Sequence, residues 1–162
     1  MKGAIGNALI MNMVITFIII FFSLLIGSMA YSKAYKTKNF ILNALDEHAS
    51  AGKTRLTANS EEWRPFNEKV NEYLGRIGYQ ISTKNNNCPT KESYIVAKYN
   101  NAGDYEYCIY QKRYITDRDN NAVIKEKYNY MVLVYMRFDI PVIGQFIKIP
   151  ITGETKTYTE FR

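Results

Sequence analysis

The chain has 162 residues, a net charge of +6 and two cysteines, with basic residues scattered among acids in stretches such as KEKY and DRDN. That pattern describes a solvated surface and argues against nucleic-acid binding. One charge-free apolar run, Ala8 to Ala30, sets the organisation: a single hydrophobic helix carrying a polar portion of about 130 residues, enough for one modest core.

The run reads ALIMNMVITFIIIFFSLLIGSMA and would make about 35 Å of helix, enough to cross a hydrocarbon core of about 30 Å. It is longer than the apolar core of a cleaved signal peptide, although Ser28-Met29-Ala30 offers a small-residue cleavage site as the alternative. Within it, Asn12, Thr16, Ser23, Gly27 and Ser28 are the small or polar residues that mark close helix contacts in a membrane. Ser and Thr can instead bond back to their own helix. Asn12 is the most informative, because an amide in hydrocarbon wants a partner. The flanking charges, Lys2 on one side and Lys33, Lys36 and Lys38 on the other, weakly favour a cytoplasmic C-terminal portion. Beside an anionic bilayer the three lysines would bind lipid headgroups.

No proline or glycine interrupts Tyr31 to Ala51, so the helix should run from about Ala4 to Ala51 and stop at Gly52. Tyr31, Tyr35, Leu42, Leu45 and Ala49 form one stripe at helical spacing, with Ala34, Ile41 and His48 beside it. This second half is amphipathic and should lie against the polar domain. Residues 1–7 then form a short leader or cytoplasmic end, 8–30 the span, 31–52 the continuation and 53–162 the domain.

Residues 53–59 read as a connection. Ser60 can cap a turn, and Pro65 suits the first turn of a second helix whose face is Phe66, Val70, Tyr73, Leu74 and Ile77, ending near Gly75 to Gly78. Trp63 packs at its entry. A polar loop, Ser82 to Lys91, precedes four strand signals. These are Ser93 to Tyr99, Asp104 to Ile115, Lys127 to Ile140, and a last strand or pair over Phe146 to Thr152 and Lys156 to Phe161, interrupted near Gly153. Ten of the fourteen tyrosines lie at or after Tyr94, and tyrosine fits a half-buried pleated surface. The expected class is α+β: a long membrane-spanning helix, a second short helix and a C-terminal antiparallel sheet of about four strands, one face covered by the helices.

Cys88 and Cys108 fall outside the apolar run. They form a disulfide if the domain is exported and remain two free thiols otherwise. A bridge would pin the polar loop to the strand that carries Cys108. Neither cysteine has a metal-ligand neighbour, and the only histidine, His48, lies in a separate helix. No phosphate-binding glycine loop, paired-histidine zinc motif or nucleophile elbow occurs. Asp117-Arg118-Asp119-Asn120-Asn121 matches part of a calcium loop but lacks its glycine and distal glutamate. The expectation is a non-enzymatic protein with no cofactor, metal or nucleic-acid partner.

Gly6-Asn7-Ala8-Leu9-Ile10-Met11-Asn12 looks like the glycine-x-alanine-leucine-valine-glutamate opening of TadE-like minor pilins of tight-adherence pili and their clostridial relatives. RFDIPVIGQFIKIPITGETKTY resembles their closing hairpin, and the layout of the chain resembles type IV pilin-like proteins. The resemblance implies a membrane-anchored structural subunit, a minor pilin or pseudopilin. Its sheet domain would be extracellular or periplasmic, and it would be stored in the bilayer before incorporation into a surface filament. It implies cleavage by a prepilin-type peptidase after Gly6 or Gly3, and bundling through the apolar helix, where Asn12, Thr16 and Gly27 are the contact candidates by residue type. Its partners would be the lipid bilayer and other pilin-like subunits or secretion-complex membrane proteins, with self-association left open. The family's glutamate falls on Met11 here, which cannot supply that charge. The alternative function is a single-pass anchored scaffold or binding domain of a conjugation or secretion complex, without a filament.

Overall fold

The computed structural model describes residues 2–50, 61–79, 88–89, 105–118, 124–139 and 146–161. Within them the chain is α+β. Helix α1 (Lys2–Ser50) is followed by a 3-10 turn (Glu61–Trp63), helix α2 (Arg64–Arg76) and strands β1 (Tyr107–Arg118), β2 (Ile124–Asp139), β3 (Phe146–Glu154) and β4 (Tyr158–Phe161). Ser60, the connection before it, most of the polar loop and the expected strand Ser93 to Tyr99 lie outside the described residues.

α1 is a single uninterrupted helix of 49 residues, about 70 Å long, and it includes Gly3 and Gly6. It is the one helix among the described residues long and apolar enough to cross a membrane, and its most apolar window is wholly outside the core. In hydrocarbon, a helix is what satisfies every backbone polar group within one segment. From Ala34 onward the same helix becomes the spine of the domain: Ala34, Thr37, Ile41, Ala44, Leu45 and Ala49 are buried at helical spacing. The buried row is therefore the one containing Ala34 and Ile41, and the expected stripe holds only at Leu45 and Ala49, with Leu42 packed at its side. Tyr31 and Tyr35 turn outward, 54% and 43% exposed, and stack on each other at 6.1 Å. The sheet also comes close on the Lys38 and Leu42 side. A Cβ added at Gly153 of β3 would stand 2.8 Å from Leu42 Cδ1 and 2.9 Å from Lys38 Cδ, so helix and sheet meet where one side offers no side chain.

α2 begins with Pro65 in its first turn, where a missing N–H costs nothing. It ends in a paired cap: Tyr79 N–H donates to Leu74 O and Gly78 N–H to Gly75 O, with Gly78 in the left-handed region at φ 59°. Phe66, Asn67, Val70 and Leu74 form its buried face. Trp63, fully buried, meets Phe66 edge-on at 5.2 Å and His48 at 4.2 Å, so it is a core residue at the helix entry.

β2 is the central strand and pairs antiparallel with β1, β3 and β4. β3 and β4 run along the same edge of β2. Met131 faces Glu154 and Tyr128 faces Tyr158, so Asn129 and Tyr130 oppose residues 155–157, one more than themselves. Thr155 bridges the bulge: its N–H donates to Tyr130 O, and its Oγ1 accepts from Tyr130 N–H. The interruption expected near Gly153 thus falls just beyond it. β1 extends to Arg118, so Asp117 and Arg118 are strand residues opposite Lys125 and Ile124, and the calcium-like segment does not form a loop from its first residue.

Alternation divides the sheet cleanly. Tyr107, Ile109, Tyr128, Tyr130, Val132, Val134 and Met136 form one core with α1 and α2. Cys108, Tyr110, Met131 and Leu133 form a smaller cluster on the opposite face, with Cys88 and Tyr135 packed at its margin.

Candidate assembly surface

α1 carries two surfaces in one register. Asn12, Thr16, Ser23, Gly27, Ala30 and Ala34 follow at intervals of 4, 7, 4, 3 and 4 residues. At about 100° per residue they share an arc of about 60°. The line continues without a break into Thr37 and Ile41, which are buried under the sheet. The small and polar stripe of the apolar half is therefore the downward extension of the face that holds the domain.

The three candidate association residues differ in what they have left to offer. Thr16 Oγ1 donates to Asn12 O at 2.8 Å, and Ser23 Oγ to Ile19 O at 2.8 Å, so both hydroxyl protons are spent within the helix. The carboxamide of Asn12 is exposed and has no hydrogen-bond partner among the described residues. A Cβ at Gly27 would meet nothing within 4 Å, which leaves a notch open to a neighbouring helix. Gly6 is likewise open, and Gly3 and Gly6 lie in the first turns of α1.

Four contacts lock the domain onto this helix. Lys33 Nζ donates to Gly78 O at 3.1 Å, setting a cation at the carbonyl end of α2. Tyr158 donates its hydroxyl to Asp46 of α1. Lys69 of α2 pairs with Glu47 of α1 at the surface, where such pairs contribute little. Phe40 of α1 stacks face to face on Tyr73 of α2 at 3.7 Å. Burial, reinforced by the Asp46 carboxylate, raises the Tyr158 phenol above its ordinary value.

On the far face, Cys88 and Cys108 form a disulfide with a Cα–Cα distance of 5.9 Å. Tyr110 donates its hydroxyl to Pro89 O at 2.8 Å. The two links hold residues 88–89 over the second apolar cluster, as a bridge from loop to strand requires. Tyr110 lies beneath them, and burial pushes its phenol up to about 12.

Tyr79 plays a part that its sequence context does not signal. Its hydroxyl lies 3.1 Å from Glu106 O and from Tyr135 O, and accepts from Tyr135 N–H at 3.0 Å. The Gly78-Tyr79 pair was legible as a helix stop, but the phenol's targets are backbone groups fixed only by strand pairing. Among the described residues no group of three or more His, Cys, Asp or Glu side chains is placed to hold a metal ion. No protein-family model, curated protein sequence or solved structure matches the chain.

Proposed function

We propose that this protein is a non-enzymatic, membrane-anchored, pilin-like structural subunit, a minor pilin or pseudopilin of a pilus or secretion apparatus. It assembles by helix–helix packing, with its sheet domain outside the membrane. The observation that carries the reading is the continuity of α1. One helix presents an exposed apolar half and then becomes the core spine of an antiparallel-sheet domain, with no hinge between. The stripe of Asn12, Thr16 and Gly27 supports packing against other helices, and the disulfide supports an oxidising compartment for the domain.

N-terminal sequencing of the membrane-extracted chain tests processing. A start at Ala4 or Asn7 is expected for pilin-type cleavage, and a start at Tyr31 would sink the anchored reading. Thiol labelling of intact cells after reduction tests the side of the membrane: Cys88 and Cys108 should label, and protection by the cytoplasm would sink the exported reading. Met11 favours the second reading, a single-pass scaffold of a conjugation or secretion complex, because it leaves the helix without the acid found in the resembling pilins. Recovery of the chain in sheared surface filaments separates the two.

A further inference from the structure

We propose that the recess at the foot of α2 binds the headgroup of an anionic phospholipid. This rests on the membrane-anchored reading and is independent of filament formation. A recess of about 280 Å³ is lined by Met29, Ser32, Lys33, Lys36, Tyr73 and Ile77. Its position is set by the sequence of α1. Met29, 73% exposed, belongs to the apolar run, and Ser32, Lys33 and Lys36 form the first polar turn after it. The recess therefore straddles the level where hydrocarbon gives way to headgroups.

Its chemistry is that of a phosphodiester on an apolar stem. Lys33 uses one of its three ammonium protons on Gly78 O and keeps two for an anion. Lys36 has no carboxylate partner among the described residues. Arg76, in the last turn of α2 and outside the lining, holds its guanidinium carbon 5.9 Å from the centre of the Tyr73 ring. No acid lines the recess, and Glu72 of α2 is exposed. The apolar wall of Met29 and Ile77 adjoins the lipid-facing side of α1, so acyl chains can descend from a headgroup held by the lysines. A free anion gains nothing from that wall, which is why the occupant is a lipid. A choline headgroup carries its own cation, and the lysines repel it.

The experiment is native mass spectrometry of the full chain in detergent with phosphatidylglycerol or phosphatidylcholine added. Phosphatidylglycerol adducts should be retained in preference to phosphatidylcholine. Lys36→Gln should weaken retention about fivefold, the effect of one lysine at an anionic surface. Lys36→Arg should restore it, and Lys156→Gln, in the bulge beside β4, should leave it unchanged. Equal retention of the two lipids, or full phosphatidylglycerol binding by Lys36→Gln, would overturn the site. Carbonate extraction from phosphatidylglycerol vesicles distinguishes the levels of failure. A chain that stays in the vesicles but shows no lipid preference loses this site alone. A chain released by carbonate loses the anchor and the site together.

Discussion

The phenolic oxygen of Tyr79 stands 3.0 Å from the backbone nitrogen of Tyr135 and 3.1 Å from its carbonyl oxygen. One side chain at the exit of α2 thus completes the end of the β1–β2 ladder, because the last pair in register is Tyr107 with Val134. Tyr79→Phe removes the acceptor and strands a part-buried N–H. The expected loss is about 1–3 kcal/mol, read by chemical denaturation of the full chain in detergent.

Tyr79 and two other phenols set an alkaline limit. Burial raises the phenols of Tyr79 and Tyr158 above their ordinary value of 10.0 and moves that of Tyr110 to about 12. The folded state then holds these protons more tightly than the unfolded chain does. Their contribution is full below pH 10 and is lost as pH rises from about 10 towards the folded values. Unfolding midpoints should be flat from neutral pH to about 9 and fall above 10, with a shallower fall in Tyr79→Phe. A fall that begins near pH 8 would contradict this assignment.

Thr37 is fully buried on the face of α1 that meets the sheet, and its Oγ1 has no hydrogen-bond partner among the described residues. Valine has the same shape without the hydroxyl. Thr37→Val should stabilise the protein by about 1 kcal/mol, where most substitutions in a core destabilise. Thermal unfolding of the two chains side by side decides it.

The disulfide closes a loop across a sequence separation of 20 residues, for which chain entropy gives about 3 kcal/mol. Cys88→Ser with Cys108→Ser should lower stability by that order and leave α1 and α2 in place. Limited proteolysis should then cut first between residues 80 and 105, and circular dichroism should show helix content unchanged.

Asn12→Leu and Gly27→Leu alter the open face of the apolar half without touching the domain. Each should reduce co-purification with partner helices, by up to about tenfold for Asn12 if its amide is bonded across the interface. The domain's unfolding midpoint should not move. Unchanged co-purification in both variants would remove the stripe from the assembly surface.

Much of this architecture was written in periodicity. The apolar run and the uninterrupted segment from Tyr31 to Ser50 together reported α1, and the Pro65 segment reported α2, because an apolar run and burial at helical spacing both leave a pattern. Which face of α1 is buried was harder to read. Tyr31 and Tyr35 fall on the expected stripe, yet the buried face is the row of Ala34, Thr37 and Ile41, because the strands that cover α1 come from more than seventy positions away. The sequence left Phe146 to Phe161 as one interrupted strand or a pair; β3 and β4 follow one another along a single edge of β2, with one extra residue at the Thr155 bulge between them. Lys33 and Tyr79 share the same obscurity. Their partners are carbonyl and amide groups, which carry no sequence signature.

Because α1 is unbroken, the azimuth of the whole domain is geared to the apolar half of the helix. One residue inserted between Ala30 and Ala34 would turn the sheet by about 100° and lift it about 1.5 Å relative to any neighbour gripped through Asn12 and Gly27. Turning the apolar half would turn the sheet with it, so the two halves of α1 present their faces in one fixed register.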